Sequence, residues 1–134
     1  VFCLFKFRSM TVDAESGGAP VWASKADPRV TRVGRFLRLT RIDEIPQVLN
    51  VLRGDMAFVG PRPERPGFVA ELARVIPHYE DRAVVKPGIT GWAQVNGWRG
   101  ETDTEDKIQR RVEHDLYYIE NWSVLLDLYI LIKT

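Results

Sequence analysis

Two adjacent carboxylates, Asp43 and Glu44, precede a run of apolar residues with helical spacing. Pro46 belongs in the first turn of this helix, because a proline further along would clash with a preceding carbonyl, so the helix should begin near Asp43. One interpretation is capping, since Asp is a favoured N-cap and Glu suits the first turn. The other is chemical: a carboxylate nucleophile beside a metal-binding carboxylate, both facing one site at a helix end where unpaired N–H groups attract phosphate. By themselves the two residues favour capping.

Arginines occur at every third position leading to this pair. Steps of three residues drift slowly around a helix, so the guanidinium groups should form a broad basic band. The band is either a solvated helix face or a surface for a phosphate-rich partner, such as a nucleotide diphosphate, a lipid phosphate or an anionic membrane. Nucleic acid is not expected, because no recognition module surrounds the band and the net charge of the chain is only +1. The band consists of Arg29, Arg32, Arg35, Arg38 and Arg41.

A further arginine, Arg62, stands between Pro61 and Pro63. The prolines restrict the backbone on both sides, which makes either a stiff loop or an anion-binding arginine organised in advance. The usual glycine-rich phosphate loops and the serine nucleophile elbow are missing from the sequence. His78 and His114 have no cysteine or histidine partner at zinc-binding spacing, so they are expected to be ordinary surface or core residues.

The first half of the chain is predicted to contain one strand and two helices. Alternating apolar side chains predict a strand over residues 2–7, and composition predicts a loop over residues 13–20. Asp27 and Pro28 are typical of a helix N-cap and first position. Gly54 is expected to end the second helix. The residues expected to be buried are Val30, Val33 and Leu37 on the first helix, and Ile45, Val48, Leu49 and Leu52 on the second.

The second half is predicted to be mostly helical. Residues 68–76 carry helical spacing and end at Pro77, after a short apolar run over residues 56–59. A turn over residues 86–88 and an extended segment over residues 89–96 follow. Thr102 and Glu105 match a capping box before a long amphipathic helix over residues 108–119. The apolar tail from Trp122 is helical or extended.

Size and composition indicate one globular unit. The chain has 134 residues, of which 45% are hydrophobic and 28% charged, enough for one core. Its pattern predicts the α/β (α+β) class: a compact, helix-rich single domain with a few short strands. The longest apolar stretch, residues 124–132, is interrupted by Asp127 and falls short of the roughly 20 residues that span a membrane.

Three motif segments, residues 38–56, 59–64 and 86–97, resemble the bacterial sugar transferase family, the monotopic polyprenyl-phosphate phosphoglycosyl transferases. The resemblance covers essentially the whole chain. Residues 97–104 and 115–122 are similar to the branch that begins exopolysaccharide synthesis, the undecaprenyl-phosphate glucose phosphotransferases.

The resemblance implies that a nucleotide diphosphate sugar, UDP-glucose or a related UDP-sugar, donates its phosphosugar to undecaprenyl phosphate and releases UMP. It implies that Asp43 attacks the sugar-linked phosphorus and holds the phosphosugar covalently, while Glu44 helps to bind Mg²⁺. The phosphate-binding arginines of the family fall on Arg38 and Arg62. Further candidates for the substrate site are Lys6, Arg8, Gln94 and Asn96.

Relatives carry a membrane-entering helix before the segment that matches Lys6, so residues 1–134 are expected to be the catalytic domain of a longer protein at the cytoplasmic face of the inner membrane. The membrane surface is an expected partner, and a homodimer is left open. The alternative is a noncatalytic membrane-peripheral module that binds anionic lipid. The Asp43–Glu44 pair argues against it, because a lipid-binding module has no need of carboxylates in a basic site.

Overall fold

The computed structural model describes residues 1–18, 27–99 and 104–134. These residues form a helix-rich α/β domain, as predicted. Strand β1 is Ala57–Val59 and strand β2 is Gly88–Thr90; short 3-10 helices cover Ile42–Glu44 and Tyr79–Val84. The α-helices of the described ranges are α1 Arg32–Thr40, α2 Gln47–Leu52, α3 Pro66–Val75, α4 Trp92–Val95, α5 Glu105–Glu120 and α6 Val124–Lys133.

The two strands pair in parallel, with Ala57 opposite Gly88 and Val59 opposite Thr90. Parallel pairing requires a long crossover, which α3 and the second 3-10 helix provide. The chain leaving β1 passes so close to β2 that a Cβ atom on Gly88 would overlap the backbone of Gly60. This close approach fixes the start of the loop that carries Arg62.

Helix α5 contributes to both hydrophobic clusters, which makes it the central scaffold of the domain. One end contributes Ile108 and Val112, and the other contributes Tyr118. Their buried partners are Ile76 and Tyr79 in the first cluster, and Val59 and Ile130 in the second.

The prediction of a strand over residues 2–7 is wrong. The fully buried Asn50 side chain accepts a hydrogen bond from Phe5 N (3.0 Å) and donates one to Cys3 O (2.7 Å). Phe7 N donates to Asp43 O at 3.0 Å. The segment is therefore fixed by a side chain and by the first 3-10 helix, rather than by a neighbouring strand. The predicted loop over residues 13–20 is confirmed as turns up to residue 18; residues 19 and 20 lie outside the described ranges.

Helix α1 begins at Arg32, not at Pro28 as predicted. Its N-cap is Thr31, whose hydroxyl accepts from Gly34 N at 2.9 Å. Asp27 instead accepts hydrogen bonds from the backbone and guanidinium of Arg29.

The predicted buried stripe of α1 is also wrong, since Val33 is 69% exposed. Gly34 is the buried position of α1, because the backbone of Ser9 lies against it where a Cβ would stand.

The helix predicted near Asp43 is divided into the 3-10 helix Ile42–Glu44 and α2. Its end is confirmed: Gly54 follows α2 with a φ of +81°, a left-handed conformation that suits glycine. Its predicted face is wrong. The buried residues of α2 are Gln47 and Asn50, while the apolar side chains of Ile45, Val48, Leu49 and Leu52 are exposed.

The second half agrees better with the predictions. Helices α3 and α5 are confirmed, and the apolar tail forms α6. The N-cap of α5 is Thr104, which accepts from Lys107 N; the predicted cap Thr102 lies outside the described residues. The segment predicted to be extended is so only to Thr90, after which α4 begins. Within residues 1–18, 27–99 and 104–134, no helix is both long and apolar enough to cross a membrane.

Candidate functional site

Asp43 and Glu44 lie on the 3-10 helix between α1 and α2. Arg41 adopts a left-handed conformation (φ +60°) that ends α1 and reverses the chain just before them. In this tight turn the adjacent carboxylates line the same cleft. Neighbouring side chains of a regular α-helix point in different directions and could not do so. The cleft has a volume of about 390 Å³, and five of its eight lining residues are basic. The basic residues are Lys6, Arg38, Arg41, Arg62 and Arg99, and the other three are Ser9, Asp43 and Glu44.

Three cations hold the Glu44 carboxylate. Arg62 Nη2 donates to Oε1 at 2.6 Å, Arg99 Nη2 donates to Oε2 at 2.7 Å, and Lys6 Nζ lies 3.6 Å from Oε1. Burial disfavours the charged carboxylate, but the charges of Arg62 and Lys6 outweigh it and lower the pKa of Glu44. Glu44 is therefore an ionised anchor that gathers basic side chains at one wall of the cleft.

Asp43 contrasts with its neighbour. It is 8% exposed, and no described side chain donates a hydrogen bond to its carboxylate. Burial, followed by the charge of Glu44, raises the pKa of Asp43, while the charges of Lys6 and Arg38 act in the opposite direction. A buried carboxylate with a backbone hydrogen bond but no side-chain donor, surrounded by basic groups, can present an oxygen atom to an anionic electrophile.

Arg38 lies at the boundary between the cleft and a second pocket of about 290 Å³. Its Nε donates to Ser9 Oγ at 2.8 Å, and both residues line both cavities. Arg8 lines the second pocket and is not part of the cleft lining.

The arginines of the predicted band do not share one surface. Arg38 and Arg41 line the cleft, whereas Arg29 pairs with Asp27 at 2.6 Å. The remaining members, Arg32 and Arg35, are exposed on α1.

Lys6 reaches the cleft from the N-terminal segment. Burial, followed by the nearby charge of Arg62, lowers the pKa of its ammonium group, while Glu44 and Asp43 act in the opposite direction. The N-terminal segment is held in place by Asn50 and by Asp43 O, so Lys6 is positioned by the same turn that carries the carboxylates.

Besides Arg8, two sequence-predicted site residues lie outside the cleft lining. Gln94 is buried in α4, and its Nε2 atom approaches Ile89 O at 3.4 Å. Asn96 donates to Trp92 O at 2.9 Å and accepts from Lys133 Nζ at 3.1 Å. The structure does not bring either of them to the cleft lining. Their contacts instead connect α4 to its surroundings, including the end of α6.

The three tryptophans within the described ranges take different positions. Trp92 stacks on Tyr117 at 5.8 Å between ring centroids and packs against the second hydrophobic cluster. Trp98 lies against His114 at 6.0 Å, and Trp122 is exposed. None of the three lines the cleft.

Arg99 is the site residue that sequence reasoning missed. It lies two residues after the motif of residues 86–97, inside the segment of residues 97–104 that resembles one branch of the family, but the sequence pattern indicates no chemical role for it. In the sequence it stands between Trp98 and Gly100, two residues after Gly97, and this was the available signal. Its contact with Glu44, 55 residues earlier in the chain, depends on the fold.

Comparisons with known proteins match the chain as a whole. The family model described as bacterial sugar transferase matches residues 1–134. A UDP-glucose:undecaprenyl-phosphate glucose-1-phosphate transferase of Escherichia coli (strain K12) is 53% identical over 131 residues, 98% of this chain and 28% of that protein. A UDP-N-acetylgalactosamine-undecaprenyl-phosphate N-acetylgalactosaminephosphotransferase of Aeromonas hydrophila is 50% identical over 134 residues, 99% of this chain and 31% of that protein.

An undecaprenyl-phosphate glucose phosphotransferase of Komagataeibacter xylinus is 51% identical over 136 residues, 99% of this chain and 26% of that protein. The chain therefore spans less than a third of the length of these curated relatives. With a match over its whole length and about half of its residues identical to such relatives, the chain belongs to the bacterial sugar transferase family.

Proposed function

We propose that this chain transfers a phosphosugar from a UDP-sugar to undecaprenyl phosphate and releases UMP. The observation that carries the proposal is the Asp43 carboxylate, buried and without a side-chain donor among the described residues, in a cleft where five of eight lining residues are basic. The names of the relatives supply the substrate classes: UDP-glucose or UDP-N-acetylgalactosamine as donor, undecaprenyl phosphate as acceptor. UDP-glucose is the first donor to test, because several relatives are named for it.

The basic wall formed around Glu44 suits a diphosphate. Each guanidinium carries five N–H donors in a planar fork, so Arg62 and Arg99 can hold Glu44 with one edge and phosphate oxygens with the remaining donors. The positive charges of Lys6 and Arg38 also act on Asp43. A donor bound along this wall would have its charge neutralised and would hold its sugar-linked phosphorus beside Asp43.

In the first half-reaction an Asp43 oxygen attacks the sugar-linked phosphorus and forms a P–O bond. The bond from that phosphorus to the bridging oxygen breaks, and the electron pair leaves with UMP. In the second half-reaction an oxygen of undecaprenyl phosphate attacks the same phosphorus, which restores the Asp43 carboxylate and gives undecaprenyl diphosphate sugar. A phosphate monoester is already anionic near neutral pH, so Asp43 would gain little as a general base for the acceptor.

Mg²⁺ fits the donor set of this site. In the described part of the chain no group of three or more His, Cys, Asp or Glu side chains could hold a metal by itself. Mg²⁺ in phosphate-transfer sites is commonly held by one or two carboxylates together with substrate phosphates. Among the described side chains Glu44 Oε2 pairs with Arg99 alone, so this oxygen keeps a second lone pair for the ion. Glu44 would therefore hold Mg²⁺ together with the donor. When bound, the ion would neutralise charge that develops on the diphosphate.

We further propose that the reaction takes place at the cytoplasmic face of the inner membrane. A lipid acceptor requires access from a membrane surface, and the apolar side chains on α2 are exposed rather than packed. The same is true of Leu125 and Ile132 on α6.

The covalent route is tested without acceptor. Full-length protein, UDP-glucose and Mg²⁺ should release up to one equivalent of UMP per active site, and mass spectrometry should find a phosphosugar on Asp43. If UMP appears only after undecaprenyl phosphate is added, the covalent step is wrong and the transfer is direct. If no UMP appears with either mixture, UDP-N-acetylgalactosamine and other UDP-sugars are tested in the same way, and failure of all of them contradicts the transferase proposal.

A further inference from the structure

Two arginine–carboxylate pairs connect α5 to the loops that carry Arg62 and Arg99. Arg82 Nε donates to Asp115 Oδ2 at 2.7 Å, and the exposed fractions of the two side chains are only 8% and 2%. Arg111 Nη1 donates to Glu64 Oε1 at 2.9 Å. None of these four residues lines the cleft, so the proposed chemistry does not use them directly.

Each of these arginines also holds a backbone carbonyl next to the cleft. Arg82 Nη2 donates to Arg62 O at 3.0 Å. Arg111 Nε donates to Trp98 O at 3.0 Å, one residue before Arg99. The two loops that deliver Arg62 and Arg99 to Glu44 are therefore attached to the same helix by two guanidinium groups.

This attachment opposes the electrostatic repulsion between Arg62 and Arg99. Arg62 and Arg99 approach the two oxygens of one carboxylate, so two like charges must be held close together. Glu44 alone offsets only part of their repulsion. The loops of residues 60–65 and 97–99 come from distant parts of the chain, and α5 is the rigid element that contacts both.

We propose that Arg111 and the Arg82–Asp115 pair are positioning residues, which set the separation of Arg62 and Arg99 before the donor binds. This inference rests on the proposed phosphosugar transfer. Buried ion pairs contribute little net stability compared with apolar residues of similar volume, so stability alone is a weak reason for such a group. A shift of about 1 Å in a substrate-holding group costs up to about 100-fold in rate, so precise placement of Arg62 and Arg99 is a stronger reason for these buried pairs.

The test uses Arg111→Lys and Arg82→Lys in the full-length protein. Lysine keeps the charge but not the planar fork, so it can retain the carboxylate partner and lose the backbone carbonyl. We expect each variant to keep a wild-type melting temperature within a few degrees and to lose about 10-fold or more in kcat/KM for UMP release. Arg110→Lys is the matched control, because Arg110 lies on the exposed face of α5 and pairs with Glu113 at 3.4 Å. It should leave kcat/KM unchanged.

A double mutant separates positioning from general stability. If Arg111 acts through Arg99, adding Arg111→Lys to Arg99→Gln should lower kcat/KM by less than about threefold beyond Arg99→Gln alone. If the two effects multiply in full, or if folded Arg111→Lys and Arg82→Lys both have wild-type kcat/KM, the positioning role is wrong.

UDP binding, measured by calorimetry on the same proteins, keeps this inference separate from the proposed reaction. A wild-type protein that binds UDP but releases no UMP contradicts the transferase proposal. In that case weaker UDP binding by Arg111→Lys and Arg82→Lys, but not by Arg110→Lys, still supports positioning. Unchanged UDP binding in the two folded variants overturns it.

Discussion

The carboxylates of Glu44 and Asp115 are both held by arginine, but with opposite balances of charge. Glu44 faces Arg62, Arg99 and Lys6 in an open cleft, which leaves excess positive charge. Asp115 pairs with Arg82 in the interior, where the charges cancel. A balanced, closed pair can only hold its neighbours in place. An unbalanced, open cluster can still attract an anion, which is why the cleft, and not the interior pair, is the candidate site.

The largest effect is expected at Asp43, because no described side chain donates a hydrogen bond to its carboxylate. Asp43→Asn removes the nucleophile and should lower UMP formation by at least about 10³-fold. Because the folded protein raises the pKa of Asp43, the ionised form destabilises the fold above the pKa of the unfolded chain. The neutral amide should therefore not lower the melting temperature at pH 7. Turnover near the wild-type rate in a folded Asp43→Asn protein would contradict the covalent mechanism.

The buried Arg82–Asp115 pair should affect the stability of the fold. Asp115→Ala leaves Arg82 buried without its carboxylate and should cost about 3–5 kcal/mol in the free energy of unfolding. Glu113→Ala on the exposed face of the same helix is the control and should cost less than about 1 kcal/mol. Urea denaturation measures both. Equal losses for the two variants would mean that the interior pair is not the anchor described above.

The cluster of cations around Glu44 should affect the kinetics of the reaction. Arg62→Lys retains the charge but cannot hold Glu44 and a phosphate with one planar group, so kcat/KM for the donor should fall about 10- to 100-fold. The melting temperature should change little. Arg74→Lys, at the exposed end of α3, is the control and should leave kcat/KM unchanged. Wild-type donor kinetics in Arg62→Lys would assign Arg62 to a purely structural loop.

The smallest predicted effect concerns salt. Ions reach an open cleft, and the screening length shortens from about 10 Å at 0.1 M to about 3 Å at 1 M salt. Raising KCl over this range should increase KM for the donor several-fold. The loss of unfolding free energy caused by Asp115→Ala should not change with salt, because Arg82 and Asp115 are almost completely buried. A loss that falls with salt as steeply as donor binding would remove the distinction between the two clusters.

Sequence reasoning succeeded where a signal is local. The 3.6-residue spacing in residues 68–76 and 108–119 placed α3 and α5, and Gly54 placed the end of α2. It failed where two local signals compete or where the partner is distant. Asp27 and Thr31 are both good N-caps, and close packing of Ser9 against Gly34 accompanies the later start of α1. The alternating residues 2–7 resemble a strand, but their hydrogen-bond partner is the side chain of Asn50.

The sequence by itself determined the chemistry available to this protein: an adjacent carboxylate pair, an arginine fixed between two prolines, and motifs that identify a family. Those properties depend on residue types and on neighbours within a few positions. The tertiary structure alone decided which charges meet, because the contacts of Glu44 with Arg62 and Arg99 span 18 and 55 residues. Contacts over such separations are set by how β1, β2 and α5 pack together, since burial of the core brings distant loops to one place whatever their local sequence.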